Sequence, residues 1–181
     1  MDRPIIGTES TALYTRPRRS LSPRVDGSAA YFYKWAGAGC YVAGSEQGAM
    51  FRDDRFVRAL FFACDTERLY LRCDLRRWGR FQIIIVFHQP SGVLVLCPAI
   101  TRGKSGVLMV RDASGEREAG EFAADEVVEL SIPFPALGAK DAVQFQVKIL
   151  HDGIERECYP ESAPIELTIP GADAALAQWM V

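Results

Sequence analysis

The chain has 181 residues, of which 49% are hydrophobic and 24% charged, and its formal net charge is −2. This length suits one domain that buries about 70% of its unfolded surface. The near-neutral charge argues against a nucleic-acid or anionic-membrane partner, since both favour a basic surface. No apolar run reaches the ~18 residues of a membrane helix, and no signal-peptide core follows residues 1–4. We therefore expect a cytoplasmic protein.

The first 20 residues predict a flexible N-terminal segment, followed by a single domain over residues 21–181. This segment is rich in Thr, Ser, Arg and Pro and has little periodicity. Residues 16–19 include three arginines, but so short a basic run supplies few phosphate contacts. We interpret it as a solvated linker rather than a nucleic-acid arm.

Residues 56–75 are the most clearly patterned stretch and predict a β-hairpin. The first half is apolar on nearly both faces, with only Arg58 interrupting it, which is typical of a strand inside a sandwich. The second half alternates, so Leu69 and Leu71 point to one side while Tyr70 and Arg72 point to the other. The remaining strands are expected to lie beside this pair.

The five cysteines are an odd number and include no CxxC pair. In a hairpin with a two-residue turn, Cys64 faces Leu69 rather than Cys73, so a disulfide between these two cysteines is not expected. Cys64, Cys73 and Cys97 lie in apolar strand runs, where cysteine behaves as a small hydrophobic residue. We expect all the thiols to be reduced, as is usual in a cytoplasmic protein.

Further short runs with strand character follow the hairpin, separated by Gly, Pro and Asp turns. They cover residues 81–87, 93–97, 106–111, 116–122, 127–132, 143–149, 154–159 and 165–170. The run 127–132 alternates and predicts a strand buried on one face only. With no long amphipathic helix, the chain predicts an all-β fold: an antiparallel β-sandwich or jelly roll of about nine to ten strands with little helix.

Several motifs follow one another in a characteristic order over residues 21–181. The opening has Ser22, Pro23, Asp26, Gly27, Tyr31, Phe32, Trp35, Gly37, Ala38, Gly39, Tyr41, Gly48, Ala49 and Met50. The hairpin adds Asp65, Leu69, Tyr70, Leu71, Arg72 and Asp74, and the end adds Pro164, residues 165–170, Trp179 and Val181. Together they resemble the C-terminal β-domain of glycoside hydrolase family 57 proteins, which is itself similar to the family 9 carbohydrate-binding modules.

The resemblance implies a non-catalytic, cytoplasmic accessory domain related to enzymes that act on α-glucans such as starch, glycogen or maltodextrins. The catalytic carboxylates of those enzymes lie in an upstream (β/α) barrel, which is not part of this chain. The implied partners are a carbohydrate, in particular an α-glucan, and a glycoside hydrolase catalytic domain. Lys34 stands where an acidic residue is usual in the family, and Phe51 where His often follows Gly-Ala-Met.

Sugar binding by a β-sandwich requires aromatic faces for the apolar side of a pyranose and polar groups for its hydroxyls. The candidate carbohydrate-binding residues are Tyr33, Trp35, Tyr41, Arg77, Trp78, Gln144, Gln146 and Lys148. Trp78 is expected to be the best-exposed ring, because residues 76–79 form a polar loop. Trp35 lies beside small glycines, which also favours packing in the core. The last three candidates alternate along one strand and predict a polar platform.

The loop 44–54 provides a candidate calcium site formed by Glu46, Asp53 and Asp54, because Ca²⁺ prefers several oxygen ligands. The alternating ligand pattern of a full calcium loop is missing, and no other cofactor is expected. The two histidines, His88 and His151, lie at strand ends without a nucleophile motif or ligand-like spacing. We therefore predict that the chain is not an enzyme.

Two alternatives to sugar binding stay open. One is a structural or docking domain that packs on a hydrolase barrel, which predicts an exposed apolar patch rather than an aromatic groove. The other is a small-ligand or haem-binding sandwich that uses Met50 or Met109 together with a histidine.

Overall fold

The computed structural model describes residues 13–30, 32–46 and 54–171, which fold almost entirely into β-strands. The strands are β1 (Gly39–Val42), β2 (Val57–Cys64), β3 (Arg68–Leu75), β4 (Phe81–Gln89), β5 (Val93–Ile100), β6 (Lys104–Asp112), β7 (Gly115–Ala124), β8 (Val128–Pro133), β9 (Ala142–His151), β10 (Ile154–Tyr159) and β11 (Ile165–Thr168). A 3₁₀-helix, Phe32–Trp35, precedes β1, and one α-helical turn, α1 (Phe134–Leu137), follows β8. None of the helices in these ranges has the length and apolar character needed to cross a membrane.

The strands form one continuous antiparallel sheet in the order β1-β2-β3-β8-β7-β6-β5-β4-β9-β10, and β11 also pairs with β9. The sheet curls, so that its two ends pack against each other across the main core. Phe62 of β2 meets Phe145 of β9 edge-on, with ring centroids 6.4 Å apart. Tyr41 of β1 lies 5.8 Å from Tyr159 of β10, measured between ring centroids. The all-β prediction is confirmed, with eleven strands instead of nine or ten.

The predicted hairpin consists of β2 and β3. Cys64 pairs with Leu69 and Leu60 pairs with Cys73, which confirms the predicted register. Asp65 closes the turn, because its Oδ1 accepts hydrogen bonds of 2.7 Å from the backbone N–H groups of the residues two and three positions later. All five cysteines are free thiols, as expected.

Residues 13–20, the described part of the predicted flexible segment, pack across the seam between the two ends of the sheet. The backbone N–H of Thr15 donates to the carbonyl of Cys40 in β1 over 2.9 Å. The hydroxyl of Tyr14 accepts a 2.9 Å hydrogen bond from the backbone N–H of Glu166 in β11. These residues are therefore hydrogen-bonded to the sheet on both sides of the seam, and the boundary at residue 21 stays a prediction.

The prediction that residues 127–132 are buried on one face only is wrong. Every residue of β8 from Val128 to Ile132 is buried. The inner face of β8 joins the main core, and a second small cluster of Trp35, Ala63 and Tyr70 packs on the other side of the neighbouring hairpin. The polar and the apolar residues of β8 therefore face two different buried environments, and neither face is exposed to solvent.

Candidate functional site

An open cleft of about 980 Å³ lies at the end of the sheet where three segments meet: the residues before β2, the loop after β3 and the β9–β10 hairpin. Its described lining includes the aromatic residues Phe56, Trp78 and Tyr159, the basic residues Arg55, Arg77, His151 and Arg156, and the acidic residues Asp54, Glu157 and Glu161. Two of the predicted sugar-binding residues, Arg77 and Trp78, therefore come together in this cleft. The combination of an indole ring with several charged groups distinguishes it from a simple packing defect.

Arg77 is held in place by two contacts within the cleft. Its guanidinium carbon lies 4.2 Å from the centroid of the Phe56 ring, a cation–π geometry. Its Nη2 also donates a 2.7 Å hydrogen bond to the backbone carbonyl of Asp54. The imidazole of His151 packs near the same phenyl ring, with centroids 5.4 Å apart. The Nε and Nη1 groups of Arg77 make no hydrogen bond with the described residues and remain available to a ligand.

Trp78 is half-buried and packs against the main core while lining the cleft. Its indole Nε1–H makes no hydrogen bond with any residue in the ranges that the structure describes. Trp78 is therefore less exposed than predicted. Tyr33, at 82% exposure, is the most exposed aromatic side chain in those ranges, but it does not line the cleft.

Glu157 and Arg156 owe their orientations to a β-bulge in β10. Glu155 pairs with Leu150 and Glu157 with Ile149, so Arg156 is an extra residue without a partner on β9. The bulge turns Glu157 inward, where its carboxylate accepts hydrogen bonds from the backbone N–H groups at the start of β2, including one of 3.2 Å from Val57. Bulges commonly re-aim side chains in this way beside binding sites.

Two other predicted sugar-binding residues, Trp35 and Tyr41, are buried. Trp35 is 6% exposed, and its Nε1–H donates a 2.8 Å hydrogen bond to Oε1 of Glu129. Tyr41 has no exposed surface, and its hydroxyl donates a 2.6 Å hydrogen bond to Oε2 of Glu46. Burial and this carboxylate together raise the pKa of Tyr41. In this structure neither ring offers a face to a sugar, because both are packed and hydrogen-bonded inside the domain.

A buried polar network around Glu129 is the main feature that sequence reasoning missed. Glu129 is fully buried, and its Oε2 accepts a 2.7 Å hydrogen bond from Nζ of Lys34 and bonds of 2.9 Å from the backbone N–H groups of Asp26 and Gly27. Lys34 also forms a 2.6 Å ion pair with Asp26. The network ties the Asp-Gly turn and the 3₁₀-helix to β8. Its signal in the sequence was a glutamate at a polar position of a short alternating strand.

The predicted polar platform on β9 exists, but its groups are bonded to neighbouring strands. The amide of Gln146 donates a 2.7 Å hydrogen bond to the carbonyl of Pro160, and that of Gln144 donates one of 3.2 Å to Glu166. Lys148 donates a 2.9 Å hydrogen bond to Glu155. None of the three platform residues is among those lining the cleft. The platform and the cleft are therefore separate surfaces.

The candidate calcium residues do not converge in the described part of the chain. Both carboxylate oxygens of Glu46 accept hydrogen bonds, Oε2 from Tyr41 and the backbone of Glu161 and Oε1 from Ser162. Asp54 lies in the cleft, and Asp53 falls outside the described residues. No group of three or more His, Cys, Asp or Glu side chains suited to a metal ion occurs among the residues that the structure describes.

Of the possible haem ligands, Met109 and His88 lie far apart. Met109 pairs with Leu96, which pairs with Ile84, and His88 follows Ile84 by four residues. Strand geometry then separates Met109 from His88 by about 13 Å along the strands and about 10 Å across them. Nε2 of His88 is also 2.8 Å from Oε1 of Gln146. Met50 falls outside the described residues.

The outer face of the central strands carries a row of half-buried apolar side chains. Ile84 lies opposite Leu96, and Val86 lies opposite Leu94, on the face of β4 and β5 that points away from the core. Met109 of β6 extends the row. This apolar row is the feature expected of a docking surface, and it is distinct from the cleft.

A scan of the chain against protein-family models found no matching model, and searches of curated proteins and of solved structures found no match. The resemblance to the C-terminal domain of glycoside hydrolase family 57 proteins therefore depends on the motifs in the sequence and stays a prediction. The site itself has to be interpreted from its own geometry and chemistry.

Proposed function

We propose that the protein is a non-catalytic carbohydrate-binding domain related to α-glucan-acting hydrolases, and that the cleft around Trp78 is its binding site. The observation that supports this most is the presence of Trp78 and Arg77 in one open cleft. An indole ring packs against the apolar face of a pyranose, and a guanidinium donates hydrogen bonds to its oxygens. Ligand sites commonly combine apolar walls with a few oriented polar groups.

The cleft supplies one partly exposed indole ring, which limits the affinity for a sugar. A buried aromatic contact contributes about 1–3 kcal/mol before the entropic cost of binding is subtracted. We therefore expect a dissociation constant of about 0.1–10 mM for an oligosaccharide. Affinities of this order suit an accessory domain that acts together with a catalytic partner.

Titration with maltoheptaose tests the proposal, with binding followed by tryptophan fluorescence and by calorimetry. The Trp78→Ala variant should lose at least about 10-fold in affinity, since the ring that stacks on the sugar is removed. Tyr33→Ala is the matched control, because Tyr33 is the most exposed aromatic ring in the described ranges and lies outside the cleft. Absence of a response at about 10 mM sugar, or unchanged binding by the Trp78 variant, would contradict the proposal.

A second candidate is docking onto a glycoside hydrolase barrel, which is favoured by the apolar row on β4, β5 and β6. Leu94 and Leu96 are half-buried on the outer face of β5, where a partner would cover them. A Leu96→Lys variant should then fail to co-purify with a barrel from a family 57 enzyme that retains the unaltered chain. If neither protein is retained by the barrel, docking is excluded.

A further inference from the structure

We infer that the cleft binds glycosyl units that carry an anionic group, a carboxylate or a phosphate, in preference to neutral glucan. This inference rests on the proposed function, since it concerns the ligand of the same site. It depends on two guanidinium groups that line the cleft beside Trp78 and whose hydrogen-bond donors the described protein groups leave largely unused.

The first of these groups belongs to Arg77. The Phe56 ring beneath its guanidinium and the bond from Nη2 to the carbonyl of Asp54 fix its position. A fixed guanidinium loses little conformational freedom when it binds a ligand. Its remaining donors form the planar fork that matches two oxygens of a carboxylate or phosphate.

The second group belongs to Arg156. As the extra residue of the β10 bulge, it lies outside the regular alternation of that strand and lines the cleft. Arg156 makes no hydrogen bond or ion pair within the part of the chain that the structure describes. Because no carboxylate of the described residues pairs with it, the guanidinium of Arg156 remains available to a ligand.

None of the described carboxylates that line the cleft forms a hydrogen bond or an ion pair with the guanidinium of Arg77 or Arg156. The carboxylate of Glu157 is compensated by the backbone N–H groups of Phe56 and Val57, from which it accepts hydrogen bonds. Asp54 and Glu161 also line the cleft, and carboxylates accept hydrogen bonds from the hydroxyls of charged and neutral sugars alike. The groups that discriminate between ligands are therefore the two arginines, because a neutral sugar offers no charge to pair with them.

The test compares D-glucose, D-glucuronate, glucose 6-phosphate and inorganic phosphate by NMR or calorimetric titration of the full chain. We expect glucuronate and glucose 6-phosphate to bind at least about 10-fold more tightly than glucose. This advantage should fall when the salt concentration rises from roughly 20 to 300 mM, because exposed charge pairs are screened. Comparing the uronate with the phosphate identifies which anion is preferred.

Substitutions then assign the preference to the two arginines. Arg156→Gln should reduce the preference for the anionic sugars several-fold while glucose binding changes little. Arg77→Gln should reduce this preference to a similar extent and also weaken glucose binding, because Arg77 belongs to the proposed sugar site. Arg102→Gln is the matched control, because Arg102 is an exposed arginine in the β5–β6 turn, outside the cleft. Circular dichroism of each variant verifies that it is folded.

Each outcome separates this inference from the proposed function. Equal, salt-independent binding of glucose and glucuronate would overturn the inference and leave the proposed function standing. Binding of inorganic phosphate as tight as that of glucose 6-phosphate would overturn both at this cleft, because the sugar would contribute nothing. Loss of anion preference in the Arg102 variant would also overturn the assignment to the cleft.

Discussion

Trp35 and Trp78 have similar neighbouring residues in the sequence but very different surroundings in the fold. Each follows a basic residue and is followed within two positions by a glycine. Trp35 is buried and donates its indole N–H to Glu129, which is 94 positions later in the chain. Trp78 is half-buried in the cleft, and its indole N–H has no partner among the described residues. A distant acceptor thus decides which tryptophan is structural.

The basic residues that precede the two tryptophans differ in the same way. Lys34 has a side chain that is only 8% exposed, and it neutralises the buried Glu129. Arg77 lies over a phenyl ring at the edge of an open cleft and retains unused donors. Lys34 stabilises the fold, and Arg77 faces potential ligands.

Substitution of Glu129 should destabilise the protein most. Glu129→Gln removes the fully buried one of the two carboxylates that compensate Lys34, and breaking a buried ion pair costs about 3–5 kcal/mol. Urea unfolding measures the loss of unfolding free energy. Glu121→Gln, at an exposed glutamate of β7, is the control and should change it by less than about 0.5 kcal/mol. Similar values for the two variants would show that the network around Glu129 adds no stability.

Phenylalanine substitutions at the two tryptophans should have unequal effects on stability. Trp35→Phe leaves the Glu129 carboxylate without one of its buried donors, which costs about 1–3 kcal/mol. Trp78→Phe removes no hydrogen bond to a described residue and should cost less than about 1 kcal/mol. Thermal and urea unfolding of both variants provide the comparison. A larger loss for Trp78 would reverse the assignment of roles.

Glu46 should make a smaller, pH-dependent contribution to stability at the seam between β1 and β10. Burial tends to raise the pKa of Glu46, but hydrogen bonds from Ser162, Tyr41 and Glu161 outweigh it and lower the pKa below its ordinary value of 4.5. A lowered folded pKa means that this stabilisation is present above pH 4.5 and is lost as the pH falls through the folded pKa.

The Glu46→Gln variant tests this contribution. At pH 7 it should be less stable than the unaltered protein by about 1 kcal/mol, since charge-assisted hydrogen bonds are replaced by neutral ones. The difference should narrow as the pH falls from 4.5 through the lowered folded pKa, because the carboxyl of the unfolded chain is protonated first and that of the folded protein only at lower pH. A difference that stays constant between pH 7 and pH 3 would contradict this explanation.

Local pattern was sufficient to predict the hairpin of β2 and β3, its register and the polar row of Gln144, Gln146 and Lys148 on β9. Side chains alternate with a period of two, so composition along a strand indicates its faces directly. The same reasoning placed Arg77 and Trp78 in a polar loop after β3, and this loop does line the cleft. The pattern gave a wrong prediction for the burial of β8, because alternation does not reveal whether the polar face of a strand contacts water or a second buried cluster.

Short-range patterns in the amino-acid sequence were enough to predict the all-β class, the strand pairing of the hairpin and the free thiols. Tertiary structure alone decided that Glu129 binds Trp35 and Lys34, that residues 13–20 cross the seam, and that a bulge directs Arg156 to the cleft. Each of these depends on groups far apart in the chain or on a local irregularity in pairing. Neither a contact between distant residues nor a bulge leaves a periodic signal in the sequence.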